Sequence, residues 1–393
     1  MLKELTKDCV HCGFCLPTCP TYVLWQEEMD TPRGRIQLME ATADGTLTLS
    51  PTVAVHFDRC LGCMACLSSC PSGVQYDRLI EETRHVVETS VPRPRAERLQ
   101  RRLLFATLPY HRRMRWALRL APIGRRLPSP AWARPMLELA VPWRSRSQAP
   151  SATPAVGASR GTVGMLTGCV QRAMFGDVNA ATARVLAASG HDVVAPDQGC
   201  CGALSAHAGR ADEAARFTSR LASAFSSVDR IVVNASGCGS HLKEKGLPAL
   251  DLTEALGATE LPELHPLELT VAYQDSCHLR HAQRLPAAWR PVLERIPGLR
   301  VVEPAEQELC CGSAGIYNVT QPEAARALGD RKAANVLATT PDAYASANPG
   351  CLVQVAQALA RTRNALPALH PVEILDASIR GVDAASLLAT ARR

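Results

Sequence analysis

The stretch CVHCGFCLPTCP at residues 9–20 recurs with the same spacing as CLGCMACLSSCP at residues 60–71. Each copy reads Cys-x2-Cys-x2-Cys-x3-Cys-Pro. Three cysteines separated by two residues present thiolates to one iron–sulfur cube, and in two-cluster ferredoxins the fourth cysteine binds the other cube. The proline after it cannot continue a helix in register, so the chain turns there. The two copies therefore predict a domain with two [4Fe–4S] clusters.

This crossed pattern assigns four ligands to each predicted cluster. The metal ligands are Cys9, Cys12, Cys15 and Cys70 for the first cluster, and Cys60, Cys63, Cys66 and Cys19 for the second. A zinc site fits less well, because zinc is usually held by two separated CxxC knuckles. Forty residues lie between Cys19 and Cys60, with a helix-like run at 36–43. This length favours an α-helical ferredoxin over the compact two-hairpin kind.

A second repeated pattern places eight further cysteines between residues 169 and 351. It reads Cys-x30-Cys-Cys-Gly-x35-Cys, and then Cys-x32-Cys-Cys-Gly-x38-Cys. Adjacent cysteines are strained disulfide partners, but they can offer two thiolates to one metal centre. The pattern is thus a candidate for a further iron–sulfur centre, with buried inert thiols as the alternative. The cofactor-binding candidates are Cys169, Cys200, Cys201, Cys238, Cys277, Cys310, Cys311 and Cys351.

Other residues near these cysteines have open roles. His278 directly follows one cysteine and His241 lies three residues after another. Each is a ligand, a neighbour that donates a hydrogen bond to one, or an ordinary surface or core histidine. Asp275 is equally ambiguous. The glycines after the paired cysteines, Gly202 and Gly312, allow the backbone to approach closely.

After residue 160, short β-like runs alternate with helical runs. We predict strands at 162–166, 192–195, 230–234, 269–274, 299–303 and 343–347, and helices at 177–189, 211–224, 323–338 and 352–362. This alternation indicates α/β layers with a mainly parallel sheet in each repeat. The predicted fold class is an α-helical ferredoxin domain followed by two repeated α/β Cys-Cys-Gly domains. The predicted domains are residues 1–90 (ferredoxin), 91–160 (arginine-rich helical connector and linker), 161–268 and 269–393 (the two Cys-Cys-Gly domains).

Charge is concentrated in one segment of the chain. Residues 91–150 carry fourteen arginines, no lysine and two glutamates, a local charge of +12 in a chain of net charge +6. Apolar residues interleave with these arginines at roughly helical spacing. Three roles are open for the segment: contact with an anionic membrane surface, binding of an acidic partner, or a solvated helical connector. Because the charge is not spread over a folded face, no nucleic-acid partner is expected.

The remaining composition excludes several classes of protein. The length of 393 residues predicts two or three domains. No run of about 18 apolar residues predicts a membrane span, and no signal peptide is visible, so we expect a cytoplasmic protein. Sixteen cysteines there serve as metal or redox ligands rather than disulfides. We find no nucleotide-binding motif and no Ser–His–Asp or paired-carboxylate pattern, so no catalytic residue is predicted.

These motifs resemble the iron–sulfur subunit of glycolate oxidase (glycolate dehydrogenase). The resemblance rests on residues 8–22, 32–36 and 60–74 and on both Cys-Cys-Gly segments, and it covers nearly the whole chain except 91–160. Cys-Cys-Gly domains are shared with heterodisulfide reductase subunits, the anchor subunit of anaerobic glycerol-3-phosphate dehydrogenase and lactate-utilisation proteins. The heterodisulfide motif ends in CxxC, whereas Cys238 and Cys351 have no cysteine three residues later. Four cysteines per repeat remain.

The resemblance implies a role in electron transfer. A flavoprotein partner would oxidise a 2-hydroxy acid, and this chain would pass the electrons to a quinone or another acceptor, in the cytoplasm or at the cytoplasmic face of the membrane. The hydride chemistry would belong to the cofactor of the partner. The alternatives are the iron–sulfur subunit of a lactate or glycerol-3-phosphate dehydrogenase, a thiol–disulfide reductase that acts through the Cys-Cys-Gly centre, and a redox sensor or scaffold.

Overall fold

A computed structural model describes residues 2–140, 145, 147–257 and 259–391. The first part of the chain is helical, as predicted, and the helix expected at 36–43 forms most of α3. The helices are α1 (Leu2–Thr6), α2 (Pro20–Trp25), α3 (Pro32–Ala43), α4 (Pro51–Asp58), α5 (Ala65–Ser69) and α6 (Tyr76–Ser90). Phe57, Leu79 and Ile80 form the centre of the apolar core of this helical part.

The start of α3 explains the Pro-Arg-Gly run in the sequence. The Thr31 side chain accepts a hydrogen bond of 2.9 Å from the Gly34 N–H, and Pro32 occupies the first turn, where its missing N–H costs nothing. A Cβ atom at Gly34 would clash with the backbone carbonyl of Glu28. Helix α3 therefore lies directly on the preceding turn and carries Arg35 into the interior.

Three helices follow in the arginine-rich segment. They are α7 (Arg95–Thr107), α8 (His111–Gly124) and α9 (Arg134–Leu139). Leu104 and Phe105 of α7 and Met114 and Ala121 of α8 are buried, so each of these two helices turns one side towards the rest of the protein. The linker predicted after α9 lies in part outside the described residues. No helix in the described ranges is long and apolar enough to cross a membrane.

The first α/β unit surrounds a five-stranded sheet. Its strands are β1 (Ala152–Thr153), β2 (Thr162–Leu166), β3 (Asp192–Val194), β4 (Ile231–Val233) and β5 (Ala249–Asp251), in the order β1-β3-β2-β4-β5. Only β1 runs antiparallel to its neighbour. The helices are α10 (Cys169–Met174), α11 (Gly176–Ala188), α12 (Ala203–Ala206), α13 (Ala211–Ala224), α14 (Ser236–Glu244) and α15 (Leu252–Gly257).

The second α/β unit surrounds a four-stranded sheet that is parallel throughout. Its strands are β6 (Leu269–Tyr273), β7 (Leu299–Val302), β8 (Ala343–Ala345) and β9 (Ala368–Leu369), in the order β7-β6-β8-β9. The helices are α16 (Arg290–Leu293), α17 (Tyr317–Thr320), α18 (Pro322–Ala338), α19 (Pro349–Arg361), α20 (Pro371–Ile379) and α21 (Ala384–Thr390), with a π-helical turn at His278–Ala282.

The predicted fold class is confirmed. All six predicted strands are present, and the four predicted helices correspond to α11, α13, α18 and α19. The prediction missed β1, β5 and β9, which have two, three and two residues. Strand β1 comes from the predicted linker and extends the edge of the first sheet.

The topology gathers the eight cysteines of the second pattern. In the first unit they follow β2, β3 and β4, and in the second they follow β6, β7 and β8. Because parallel strands end at the same edge of a sheet, each set of four comes together at one edge. The two units share one apolar core, and Arg184 of α11 forms two hydrogen bonds, of 2.8 and 2.7 Å, to the Asp376 carboxylate of α20.

Candidate metal centres

Cysteines of both ferredoxin motifs line a first cavity beside α3. Cys9, Cys12 and Cys15 come from the first motif, and Cys70 comes from the second. Cys66 also contributes to the wall. Cys12 is exposed, and Cys9, Cys15 and Cys70 are partly buried, so this cavity lies at the protein surface. The structure thus brings together the four cysteines predicted for the first cluster.

A second cavity lies deeper in the ferredoxin part. Cys60, Cys63 and Cys66 of the second motif line it together with Cys19 of the first, and all four are buried. Cys19 directly precedes α2, whose first residue is Pro20. The structure therefore places Cys19 at the same cavity as three cysteines of the other motif.

Several polar groups converge on the Cys60 sulfur. The Gly62 N–H donates to it at 3.4 Å and the Tyr76 hydroxyl at 3.7 Å. Burial disfavours the Cys60 thiolate, but the guanidinium groups of Arg35 and Arg84 favour it more strongly and hold the pKa of this thiol below its usual value. Cys60 is therefore prepared to act as a thiolate, the form that binds metals.

The other thiols here depend on a compensating cation. Burial raises the pKa of Cys63 and of Cys66, and it raises the pKa of Cys15 to about 11. Neighbouring thiols contribute to each of these increases. Iron would supply the missing positive charge, since metal binding requires and stabilises the thiolates. Four thiols around each cavity are therefore a donor set that fits an iron–sulfur cluster.

One larger cavity, of about 330 Å³, lies between the two α/β units. In the first unit, Cys169 Sγ lies 3.5 Å from Cys200 Sγ, and Cys201 Sγ lies 3.0 Å from Cys238 Sγ. These are free thiols at non-bonded distances. The cysteines that line this cavity are Cys169, Cys200, Cys201, Cys238, Cys277, Cys310, Cys311 and Cys351.

The second unit repeats the arrangement of the first. Cys277 Sγ lies 3.9 Å from Cys310 Sγ, and Cys311 Sγ lies 3.4 Å from Cys351 Sγ. In both units the first cysteine of the Cys-Cys pair lies by the cysteine that follows β2 or β6, and the second lies by the cysteine on α14 or α19. Eight thiols on one cavity are a set of soft ligands that suits iron–sulfur chemistry.

The glycine of each Cys-Cys-Gly segment is required by the backbone. Gly202 and Gly312 have φ values of +98° and +90°. A Cβ atom at Gly202 would lie 2.8 Å from the Ala214 carbonyl oxygen, and one at Gly312 would lie 2.7 Å from that of Ala325. Both conformation and space exclude a side chain. The Gly202 N–H also donates to Cys200 Sγ at 3.4 Å.

The second and third cavities adjoin one another. Cys63 of the ferredoxin part and Cys310 of the second α/β unit belong to one apolar cluster with Leu61, Leu309 and Tyr317. After burial, the proximity of Cys310 is the largest influence that raises the pKa of Cys63. The three cavities therefore form a connected series from the surface at Cys12 to the space between the α/β units.

Comparison with known proteins identifies both kinds of domain. Residues 5–74 match the family described as "4Fe-4S dicluster domain". Residues 163–243 and 271–356 each match the family described as "Cysteine-rich domain", abbreviated CCG. The chain is therefore an iron–sulfur protein with one dicluster domain and two cysteine-rich domains.

Two similar proteins cover nearly the whole chain. It is 34% identical to the probable glycolate oxidase iron–sulfur subunit of Bacillus subtilis, over 97% of this chain and 93% of that protein. It is 35% identical to the glycolate oxidase iron–sulfur subunit of Escherichia coli, over 90% of this chain and 91% of that protein. The chain belongs to this family of iron–sulfur subunits. The resemblance inferred from the motifs is confirmed.

Two further proteins are similar to part of the chain or to its fold. Lactate utilization protein A of Oceanobacillus iheyensis is 27% identical over 56% of this chain and 98% of that protein. A crystal structure of a hypothetical protein from Helicobacter pylori has a TM-score of 0.50 at 10% identity, over 91% of this chain and 70% of that one. The latter similarity concerns the fold alone.

Of the ambiguous residues, His278 lies at the large cavity. Its Nδ1 is 3.5 Å from Cys277 Sγ, and burial lowers the pKa of His278 to about 3, so the ring is neutral. Among the described residues its Nε2 has no hydrogen-bond partner. The ring lies against that of His207, with centroids 5.1 Å apart, and His207 Nδ1 lies 3.2 Å from a Glu81 carboxylate oxygen. His278 is thus a neighbour of Cys277, and its ring also contacts His207 of the first α/β unit.

His241 and Asp275 do not line the cavity. The Nε2 of His241 lies 3.2 Å from the Thr218 hydroxyl. Asp275 accepts a hydrogen bond of 2.7 Å from the Tyr273 hydroxyl and one of 2.9 Å from Arg280. Both residues hold the fold around the cysteines together.

Sequence reasoning missed Arg84, which joins the ferredoxin part to the first α/β unit. From α6 its guanidinium donates to the backbone carbonyls of Phe57 and Cys60, and also to that of His207. Gly209 lies against the Arg84 backbone so closely that a Cβ there would clash. A single arginine without a motif gives no signal of such contacts.

The roof of the large cavity was also missed. It is apolar and comes from the arginine-rich segment, with Leu104 of α7, Met114 and Leu118 of α8, and Met136 and Leu139 of α9. The sequence does show apolar residues one helical turn apart in α8, at 114, 118 and 121. This spacing indicates a buried helix face, but it does not indicate which part of the protein that face covers.

Proposed function

We propose that this chain is the iron–sulfur electron-transfer subunit of a glycolate oxidase, a flavin-linked 2-hydroxy-acid dehydrogenase. It receives electrons from a flavoprotein partner and delivers them to a quinone or another acceptor. One observation carries the proposal: cysteine-lined cavities follow one another from the surface at Cys12 to the space under α8, and Cys63 beside Cys310 joins the second to the third.

The cysteines divide into three ligand sets under this proposal. Those around the first two cavities hold two [4Fe–4S] clusters with the crossed ligands given above, and the eight around the large cavity hold a further iron–sulfur centre. Such centres, when bound, are reversible one-electron carriers. The thiol donor sets, the buried arginines beside Cys60 and the fixed Cys-Cys-Gly backbone support these assignments.

The protein around Cys60 favours the reduced state of whatever it binds. Hydrogen-bond donors and positive charges beside a ligand sulfur stabilise additional negative charge. The Gly62 N–H, the Tyr76 hydroxyl and the guanidinium groups of Arg35 and Arg84 provide both. The deeper ferredoxin position is therefore suited to take an electron from the more exposed one at Cys12.

The two ends of the series suit different partners. At the surface end, Val10 and Phe14 expose about two thirds of their area on either side of Cys12, which suits contact with a flavoprotein. At the other end, the apolar roof of the large cavity suits a lipophilic acceptor such as a quinone. No residue of this chain is assigned a catalytic role, since hydride transfer belongs to the flavin of the partner. We place the protein in the cytoplasm, with its acceptor at the membrane.

The proposal is tested by anaerobic stopped-flow on the assembled complex, with flavin bleaching and acceptor reduction followed separately. Replacement of a ligand, for example Cys12→Ser, should leave the flavin reducible by glycolate and stop acceptor reduction. Cys351→Ser should slow acceptor reduction as well, whereas the exposed Ser223→Ala should change neither phase. Full turnover by the flavoprotein without this chain would contradict the electron-transfer role.

A second candidate is the same role with lactate as the substrate of the partner. The similarity to lactate utilization protein A favours it, although that similarity covers about half of the chain. Turnover of the assembled complex with lactate but not glycolate would keep the mechanism and replace only the substrate.

A further inference from the structure

We propose that the outer face of α8, continued through the turn to Leu127, is a docking surface for a bilayer that contains anionic phospholipid. This outer face consists of Trp116, Leu120, Ile123 and Leu127. Their exposed fractions are 62%, 57%, 59% and 60%. Large apolar side chains exposed singly are ordinary, but four on one face of a helix mark a contact surface.

The four residues form a continuous stripe. They are spaced by four, three and four positions, which places them on one side of a helix of 3.6 residues per turn. The turn after α8 keeps this geometry, because the Arg125 N–H bonds to the Ala121 carbonyl at 2.9 Å and the Leu127 N–H to that of Gly124 at 3.3 Å. The stripe therefore extends beyond the end of the helix.

Arginines flank this stripe on both sides. Arg112, Arg113, Arg119 and Arg126 are exposed, and the ion pairs formed within the described ranges include none of them. Arg119 lies over the Trp116 ring, 5.3 Å from its centroid. No acidic residue occurs between Glu97 and Glu138. A narrow apolar stripe between unpaired arginines, with a tryptophan at its edge, complements the acyl boundary and phosphate layer of an anionic membrane.

The opposite face of α8 is apolar as well. Met114, Ala117 and Leu118 line the large cavity with the eight cysteines. Helix α8 is therefore a thin wall with cysteines on one side and the proposed membrane surface on the other. A solvated connector would have a polar outer face. The apolar residues on the outside therefore favour a docking surface over a connector, and the tryptophan between unpaired arginines matches the phosphate layer and acyl boundary of a bilayer.

The test is sedimentation of the full chain, purified anaerobically with its iron, with two kinds of vesicle. One kind is phosphatidylcholine alone and the other an equal mixture of phosphatidylcholine and phosphatidylglycerol. The protein should bind the mixed vesicles strongly, the neutral ones weakly, and less as salt is raised. Trp116→Ser with Leu120→Ser should weaken binding to mixed vesicles at least about tenfold, and so should Arg112→Gln with Arg119→Gln and Arg126→Gln.

Matched controls change the same residue types elsewhere on the surface. They are the exposed Val156→Ser and the pair Arg216→Gln with Arg220→Gln on α13, and both should bind like the unchanged protein. Iron content and the unfolding midpoint of every variant establish that the fold is intact. The docking surface is refuted if the unchanged protein ignores the mixed vesicles or if the α8 variants bind them normally. Variants that lose the flavoprotein in copurification but keep vesicle binding would assign the surface to an acidic protein instead.

Discussion

Cys63 and Cys310 lie in one buried cluster, although one belongs to a ferredoxin motif and the other to a Cys-Cys-Gly segment. Leu61, Leu309 and Tyr317 enclose the pair in one apolar cluster that excludes water. Under the proposed function, this cluster is where the electron path passes from the ferredoxin part to the Cys-Cys-Gly part. It places a ligand candidate of the buried ferredoxin position against a ligand candidate of the large cavity.

The crossed ligand assignment predicts which cluster each cysteine serves. Cys19→Ser should remove or alter the cluster held by Cys60, Cys63 and Cys66, with loss of up to about four iron atoms, and should leave the other cluster unchanged. Cys9→Ser is the matched variant and should have the opposite effect. Anaerobic redox titration followed by electron paramagnetic resonance separates the two. Loss of the first cluster alone in Cys19→Ser would refute the crossing.

The backbone at Gly312 predicts a large loss of stability on substitution. Gly312→Ala adds a Cβ at a φ of +90° and 2.7 Å from the Ala325 carbonyl oxygen. Strain and displacement together should cost about 3 kcal/mol in the free energy of unfolding. Gly257→Ala is the control, since nothing lies within 4 Å of its Cβ position. Chemical denaturation of both variants measures the difference, and equal stability would contradict this account.

The ion pair between Arg184 and Asp376 should stabilise the contact of the two α/β units. Asp376 is buried and accepts two hydrogen bonds from Arg184, so Asp376→Asn should reduce the free energy of unfolding by about 1–3 kcal/mol. The pair between Arg361 and Asp330 is exposed, and Asp330→Asn should cost less than about 1 kcal/mol. Thermal unfolding of the two variants in parallel tests the ranking. A larger effect at Asp330 would be inconsistent with it.

Asp251 should make the stability of the first α/β unit depend on pH. Burial raises the pKa of this carboxyl from 3.8 to about 6, despite the hydrogen bonds it accepts from Thr253. The folded protein therefore keeps a proton that the unfolded chain releases, and stability falls as pH rises between about 4 and 6. Asp251→Asn mimics the protonated group and should raise the free energy of unfolding at pH 8 by up to about 3 kcal/mol.

The gain from Asp251→Asn should shrink as the pH is lowered, because the native carboxyl is then protonated as well. Denaturation at pH 8 and pH 5 measures this change, with the exposed Asp229→Asn as the control that should have no such pH dependence. A gain that is the same at both pH values would point to a cause other than the buried charge.

The sequence predicted the elements that carry a strong local pattern. The six strands with apolar runs and the helices around residues 36–43 and 211–224 were found, because hydrophobic periodicity and the Gly and Pro residues at their ends mark them. Strands β5 and β9 were missed, and both are short strands at the edge of a sheet. The cysteine spacing also indicated two ferredoxin positions, and in the structure Cys70 lines the cavity of the first motif and Cys19 that of the second.

The features that could not be predicted are tertiary contacts. Eight Cys-Cys-Gly cysteines in two repeats gave no sign that both sets face one cavity, because that depends on how the two sheets are oriented. The apolar residues Met114 and Leu118 gave no indication of what they cover, for the same reason. Arg84 carries no motif, and its role became visible only through the carbonyl groups that surround it.

The position of Arg84 has a consequence for maturation of the protein. One guanidinium holds carbonyls of the Cys60 loop and of the His207 loop, so the two loops gain or lose their order together. Iron insertion into the ferredoxin part would thus help to shape the neighbouring cysteine-rich unit before that unit receives its own iron. Delivery of iron would become a sequence of dependent steps, in which a chain arrested early exposes both regions at once to cellular proteases.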